Sequence, residues 1–123
     1  MTVEPKHVLL VEDDPDLRVF VQEVLEEAGY RVLAAGDGLD ALEQAAAQEP
    51  DLILLDMRMP RMDGWEFARL FRAQHPRRVP IIVFTAATDA AQRAAQIQAD
   101  GYLPKPFELA DLLAIVERHV RSA

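Results

Sequence analysis

The sequence contains no cysteine. A disulfide framework, a thiolate nucleophile and a metal site built on cysteine are therefore excluded. Long apolar runs are also absent: none approaches the about 20 residues that a transmembrane helix needs. Residues 1–7 contain no apolar core of a signal peptide. From these absences we expect a cytoplasmic protein that does not enter a membrane.

Positive charge is scarce. The 123 residues include 13 lysines and arginines against 21 aspartates and glutamates, which gives a net charge of -8. This balance argues against direct binding to nucleic acid. Half of the residues are apolar, which is enough for one compact domain over residues 1–123.

The stretch around Asp56 organises the rest of the chain. Four consecutive apolar residues, 52–55, are too few for a helix, and Pro50 and Pro60 mark breaks on either side. An unbroken apolar run of this kind indicates a strand covered on both faces, as in a parallel sheet. Asp56 follows the end of that strand, where ligands bind in such sheets.

Short apolar runs alternate with amphipathic segments along the whole chain. The runs predict strands over residues 7–11, 31–35, 52–55, 79–84 and 101–104. The segments between and after them predict helices over residues 15–28, 38–46, 64–74, 89–99 and 109–120. Strict alternation implies parallel pairing through right-handed crossovers. The predicted fold is α/β, a (βα)5 flavodoxin-like three-layer sandwich whose five-stranded parallel sheet has the order 2-1-3-4-5.

Polar residues follow four of the five predicted strands: Glu12 and Asp13, Asp56, Thr85, and Lys105. In the order 2-1-3-4-5 these strand ends lie together. Three converging carboxylates repel one another unless a cation neutralises them. Oxygen ligands without histidine or cysteine favour a hard divalent ion, and a few carboxylates with waters and phosphate oxygens suit Mg²⁺.

The remaining members of this set suit phosphoryl transfer. Lys105 offers an ammonium and Thr85 a hydroxyl to phosphate oxygens. Phosphoryl transfer needs mainly positioning and charge neutralisation, and Asp56 is the natural nucleophile, forming an acyl phosphate.

The chain resembles the receiver domain of two-component response regulators over essentially its whole length. The motifs that carry the resemblance are Val11-Glu12-Asp13-Asp14-Pro15, Leu54-Leu55-Asp56-Met57-Arg58-Met59-Pro60, Met62-Asp63-Gly64, Phe84-Thr85-Ala86 and Gly101-Tyr102-Leu103-Pro104-Lys105-Pro106-Phe107. The resemblance implies that Asp56 accepts a phosphoryl group from a histidine kinase or a phosphotransfer protein. It also implies Mg²⁺ held by Asp13, Asp56 and the backbone carbonyl of Arg58, with Glu12 contributing directly or through water. The bond before Pro106 resembles the family's cis peptide.

The resemblance further implies a switch. Phosphorylation would draw Thr85 inward and turn the ring of Tyr102 from outward to buried. This would change a face formed by the fourth helix, fifth strand and fifth helix, which signals to a downstream protein. The protein would catalyse its own phosphorylation and slow dephosphorylation without being a turnover enzyme. Whether phosphorylation drives dimerisation stays open.

The sequence departs from the receiver pattern at two positions, and two alternative functions remain. Glu12 stands where aspartate is frequent, and Arg58 places a guanidinium near the pocket, which we predict alters the lifetime of the acyl phosphate. A Mg²⁺-dependent phosphohydrolase of the haloacid-dehalogenase type is one alternative, although such enzymes carry a second aspartate at the position of Arg58. The other is a receiver-like interaction module that is not phosphorylated.

Overall fold

The computed structural model describes residues 4–120, which form one five-stranded parallel sheet in the order β2-β1-β3-β4-β5. The strands are β1 (His7–Val11), β2 (Arg31–Ala35), β3 (Leu52–Leu55), β4 (Ile81–Ala86) and β5 (Gly101–Lys105). The helices are α1 (Pro15–Glu27), α2 (Gly38–Ala47), α3 (Gly64–Gln74), α4 (Ala90–Ile97) and α5 (Leu109–His119). The predicted class, strand order and alternation are confirmed. None of the described helices is both long and apolar enough to span a bilayer.

The sheet is buried on both faces because successive side chains of a strand point in opposite directions. Leu9, Val11, Ile53 and Leu55 join a core cluster that includes residues of α2, α3 and α4. The intervening Val8, Leu10, Leu52 and Leu54 join a second cluster with residues of α1 and α5. Continuous apolar strands therefore reflect two layers of helices around one sheet.

Three helices begin at an aspartate whose side chain accepts hydrogen bonds from backbone N–H groups of the first turn. Asp14 accepts from Asp16 and Leu17, Asp37 accepts from Asp40, and Asp63 accepts from Glu66. These bonds satisfy donors that a helix leaves unpaired at its start. They fix the loops that carry the strand-end residues.

The predicted bounds of the fourth strand were wrong by two residues at each end. Pro80 lacks an N–H, and the strand begins after it, at Ile81. The ladder then continues past Phe84, because Thr85 pairs with Pro104 and Ala86 with Lys105. Thr85 is therefore the penultimate residue of β4 and Lys105 the final residue of β5, rather than residues that follow those strands.

Three large apolar residues on the predicted helices are exposed: Phe20, Leu39 and Leu109. The fourth helix is shorter than predicted and buries Ala90, Ala94 and Ile97. Two of these three residues are alanines, so the helix has a small apolar face.

Candidate functional site

Three carboxylates meet where β1 and β3 end. Val11 pairs with Leu55 across the two strands, so Glu12 and Asp56 leave the sheet side by side. The backbone N–H of Asp56 donates to the carbonyl of Val11 at 2.9 Å, which holds Asp56 at this level. One carboxylate oxygen from each of Glu12, Asp13 and Asp56 lies within 4.8 Å of the others. The structure therefore brings together the three acidic residues that the sequence predicted.

The environment of Asp56 disfavours its charged form. Asp56 is 5% exposed and Glu12 is 1% exposed, whereas Asp13 is open to solvent. Burial, followed by the negative charge of Glu12, raises the pKa of Asp56 to about 7, against the opposing effects of Lys105 and the Arg58 N–H. Without a cation, the charged form of this cluster of oxygen ligands is disfavoured. The cluster therefore fits a divalent cation that prefers oxygen ligands.

Lys105 reaches this cluster from the end of β5. Its ammonium donates a hydrogen bond to Glu12 and lies 3.7 Å from Asp56 Oδ2. The same Nζ lies 4.7 Å from the centre of the Phe84 ring, a cation–π distance. Both carboxylate oxygens of Glu12 accept a hydrogen bond, the second one from the Asp14 N–H at 3.1 Å. The pocket thus holds two buried carboxylates bridged by one ammonium.

Arg58 touches the pocket through its backbone. Its N–H donates to Asp56 Oδ1 at 3.2 Å, so the loop after β3 folds back onto the Asp56 carboxylate. The guanidinium points away from that contact and lies 3.6 Å from Asp89 at the start of α4. The Arg58 side chain is 70% exposed. The pocket mouth therefore has an exposed cation at its edge.

The other predicted residues lie on β4 and β5. Thr85 is buried at the end of β4, the strand next to β3. Tyr102 lies on β5 and is 47% exposed, which is the outward position expected for the unmodified protein. The bond between Lys105 and Pro106 is cis.

Comparison with known proteins gives the family. Residues 8–117 match the response regulator receiver domain. This chain belongs to that family. The transcriptional regulatory protein PdtaR of Mycobacterium tuberculosis is 40% identical over 116 residues, covering 92% of this chain and 56% of that protein. Response regulator MprA of Mycobacterium leprae is 41% identical over 116 residues, covering 93% of this chain and 50% of that protein. The chain therefore spans about half the length of these relatives.

Solved receiver domains have the same fold. The chemotaxis protein CheY4 of Vibrio cholerae gives a TM-score of 0.85 at 34% identity, covering 94% of this chain and 99% of that one. The receiver domain of the sensor histidine kinase PA1611 from Pseudomonas aeruginosa gives 0.84 at 39% identity, covering 94% and 97%. That structure has a magnesium ion coordinated in its active site cleft. A receiver domain is a signalling module that interacts with a histidine kinase and a downstream effector.

Several aspartates of this receiver domain have structural roles. Asp14 and Asp63 cap helices. Asp51 accepts the His7 N–H at 2.8 Å, and Asp100 accepts the Ile81 N–H at 2.9 Å. Each of the four accepts a backbone N–H, and none of them belongs to the carboxylate cluster of the pocket.

Sequence reasoning missed the contacts that hold the receiver pocket from outside. Arg18 Nη1 donates to the Glu12 carbonyl at 2.7 Å, and Arg61 donates to Asp37 Oδ2, with its Nε at 2.8 Å. The first has a sequence signal, because position 18 lies one helical turn past the Asp14 cap and faces back toward the strand end. The second joins two loops and has no local signal.

Proposed function

We propose that Asp56 of this receiver domain is the phosphoacceptor of a two-component phosphorelay. The observation that carries the proposal is the clustering of Glu12, Asp13 and Asp56 within 4.8 Å, with the Lys105 ammonium 3.7 Å from Asp56. Phosphoryl transfer requires a positioned nucleophile and compensation of charge rather than elaborate covalent chemistry. The four side chains supply both.

The step itself is a displacement at phosphorus. The P–N bond of a phosphoimidazole on the donor breaks as a P–O bond forms to the Asp56 carboxylate. The bonding pair leaves with the imidazole nitrogen, which takes a proton. Asp56 must be ionised to attack, and its raised pKa means that a nearby cation favours the reactive form.

The donor set fits Mg²⁺, with Asp13, Asp56 and the backbone carbonyl of Arg58 as ligands. Mg²⁺ bound there would offset charge on both the carboxylates and the phosphoryl oxygens. Both oxygens of Glu12 already accept hydrogen bonds, from Lys105 and from the Asp14 N–H. We therefore assign Glu12 a contact to the ion through water rather than a direct one.

Lys105 and Thr85 hold the transferred group. Lys105 ends β5 beside Asp56, where its ammonium can turn from Glu12 to a phosphoryl oxygen. Thr85 is buried one residue before the end of the neighbouring strand, β4, and offers a hydroxyl. Drawing Thr85 toward the phosphoryl group pulls on the loop before α4, and the outward ring of Tyr102 then turns inward. The altered surface of α4, β5 and α5 contacts the downstream protein.

A groove beside the pocket suits the protein donor. Its volume is 590 Å³, and Phe20, Lys105, Phe107 and Leu109 are among its lining residues. Phe20 is 45% exposed and Leu109 is 46% exposed. Exposed apolar side chains grouped next to a reactive group mark a protein contact. We infer that the helical surface carrying the donor histidine packs here.

Loss of the phosphoryl group completes the cycle. Water attacks phosphorus, the bond to Asp56 breaks, and the products are the Asp56 carboxylate and inorganic phosphate. The same pocket catalyses this slow hydrolysis, so the protein modifies itself and does not turn over a substrate. Arg58 occupies the position where a haloacid-dehalogenase-type hydrolase needs a second aspartate, which disfavours that activity.

Incubation with acetyl phosphate and Mg²⁺ tests the proposal. Intact mass should rise by one phosphoryl group, and the gain should disappear in Asp56→Asn or when EDTA removes the metal. Asp63→Asn is the matched control, because asparagine also caps helices and Asp63 lies outside the pocket. The control should gain the same mass as the wild type. An absence of mass gain in the wild type would favour an interaction module that is not phosphorylated.

A further inference from the structure

Arg58 and Asp89 form an ion pair across the edge of the phosphoacceptor pocket. Arg58 Nη2 lies 3.6 Å from Asp89 Oδ2, while the Arg58 backbone N–H contacts Asp56. One residue therefore touches the phosphoacceptor through its backbone and the start of α4 through its side chain. The guanidinium is 70% exposed, so it can rotate without leaving a buried site.

Asp89 is shared between two arginines. Arg93 Nη2 lies 3.9 Å from the same Oδ2 that faces Arg58. Although Asp89 occupies the cap position of α4, its side chain makes no capping hydrogen bond. Both ion pairs are longer than a hydrogen bond, so neither partner is tightly held. A stronger anion near Arg58 would meet little resistance.

Arg93 connects Asp89 to the single tryptophan of the chain. Its guanidinium carbon lies 5.0 Å from the centre of the Trp65 ring, and Trp65 Nε1 donates to Gln96 Oε1 at 2.9 Å. Arg93 Nε is buried and has no hydrogen-bond partner within residues 4–120. Arg93 therefore lies between Asp89 and the indole and contacts both.

We propose that Asp89 is a positioning residue that holds the Arg58 guanidinium aside until Asp56 is phosphorylated. This inference rests on the proposed function of Asp56. A phosphoryl group carries about two negative charges against one on Asp89, and its oxygens match the forked donors of arginine. Arg58 then moves over the acyl phosphate, and Asp89 keeps only its ion pair with Arg93.

Once it lies over the acyl phosphate, the Arg58 guanidinium slows hydrolysis. Water must approach phosphorus in line with the bond to Asp56, form a P–O bond as that bond breaks, and release a proton to solvent. Ala86 and Ala87 are small and exposed, so they leave the approach open from the β4 side. The bulky Arg58 side chain can cover this approach. The ion pair with Asp89 sets the fraction of time for which Arg58 does so.

The test measures the half-life of the acyl phosphate in four proteins: wild type, Arg58→Ala, Asp89→Asn and the double variant. Each is phosphorylated with acetyl phosphate and Mg²⁺ and followed by intact mass. Arg58→Ala should shorten the half-life and Asp89→Asn should lengthen it, each about two- to fivefold, the weight of one exposed ion pair. In the Arg58→Ala background, Asp89→Asn should have no effect. Asp111→Asn, an exposed change of the same charge on α5, should leave the half-life unchanged.

Trp65 fluorescence gives a second readout that a purely structural role would not move. Phosphorylation should change the emission of the wild type and leave that of Arg58→Gln, which keeps the aliphatic stem, nearly constant. Equal effects of Asp89→Asn with and without Arg58, or a shorter half-life in Asp89→Asn, overturn the inference alone. Absence of phosphorylation in every variant, wild type included, overturns the proposed function and the inference with it.

Discussion

Lys105 donates a hydrogen bond to the buried carboxylate of Glu12 and lies 3.7 Å from the carboxylate of Asp56. The strand order makes this contact possible, because β5 reaches the level of β1 and β3 at the same edge of the sheet. One ammonium thus offsets the repulsion between two buried acids. Asp13 is exposed, so solvent screens its negative charge and it does not need this ammonium.

Removing this ammonium should make Asp56 a weaker acid. The Lys105 charge lowers the pKa of Asp56, and an opposite charge at this distance is worth about one pH unit or more. In metal-free Lys105→Met the Asp56 midpoint should therefore rise above about 7, as followed by the ¹³C resonance of the carboxyl group. Lys105→Arg keeps the charge and should keep the midpoint close to that of the wild type. A midpoint that is unchanged or lower in Lys105→Met would show that the ammonium does not act on Asp56.

The raised pKa of Asp56 also predicts how stability depends on pH. The folded value is about 7 and the ordinary value is 3.8, so between these limits the folded state binds more protons than the unfolded state. The free energy of unfolding must then fall as pH rises through that window. Asp56→Asn has no charge to bury. In metal-free buffer its melting temperature should exceed that of the wild type by a margin that grows from pH 4 to pH 7 and then levels off.

Added Mg²⁺ should change this comparison of the melting temperatures of wild type and Asp56→Asn. Mg²⁺ bound to the ionised carboxylates would stabilise the folded state in proportion to its binding. At pH 8, adding Mg²⁺ should raise the melting temperature of the wild type and have a much smaller effect on Asp56→Asn. In metal-free buffer, a difference in melting temperature between wild type and Asp56→Asn that stays constant from pH 4 to pH 8 would contradict the proposed burial of an ionised Asp56.

Local patterns were enough to predict the framework of this fold. The apolar run before Asp56 cannot be a helix of useful length, and Asp14 before Pro15 begins a helix whatever the tertiary context. Alternation and handedness predict parallel pairing, and the order 2-1-3-4-5 is the flavodoxin-like arrangement of such a sheet. The set of Glu12, Asp13, Asp56, Thr85 and Lys105 could be predicted because each stands at the end of a strand.

Contacts that depend on packing were not predictable. Val79 and Pro80 look like the start of a strand, but the ladder begins at Ile81 because proline has no N–H to donate. Phe20 fits the apolar period of α1, yet it faces the open groove rather than the core. The pair between Arg58 and Asp89 joins two loops that only the folded sheet places side by side.

Gly64 is required by a close approach of α3 to the loop that begins at Asp56. A Cβ there would lie 2.6 Å from Met57 Sδ, 2.8 Å from Met57 Cα and 3.0 Å from the Asp56 carbonyl oxygen. Gly64→Ala must therefore displace the backbone that positions Asp56. We expect a loss of about 1–3 kcal/mol in the free energy of unfolding by urea, the range for overpacking, together with weaker Mg²⁺ binding.

Gly36→Ala is the matched control for this prediction. Within 4 Å its Cβ would meet only the guanidinium end of Arg18, at 3.2 Å, and no backbone atom. A shift of that guanidinium would strain its hydrogen bond to the Glu12 carbonyl but would not displace the backbone of Asp56. The control should lose less stability than Gly64→Ala. Equal losses would point to a general cost of replacing loop glycines rather than to the contact with Asp56.

The groove between α1 and α5 predicts a difference between protein and small-molecule donors. Phe20 is 45% exposed beside Lys105 and contributes apolar surface that a donor protein would bury. Phe20→Asp removes that surface and adds a charge, which should slow phosphotransfer from a phosphorylated histidine kinase about tenfold or more, since burial of a phenylalanine is worth about 1.5–3 kcal/mol. Acetyl phosphate is small and needs no such contact, so its rate with the same variant should stay within about twofold of the wild type, as expected for a surface change that leaves the pocket intact.

Leu39→Asp separates a local effect from a general one. Leu39 is 40% exposed on α2, away from the groove, and the same substitution there should leave both donors unaffected. If Phe20→Asp slowed both donors equally, the damage would lie in the pocket or the fold. If it slowed neither, the histidine kinase would have to approach Asp56 across a different surface, because the apolar side chains of the groove would then remain exposed during transfer.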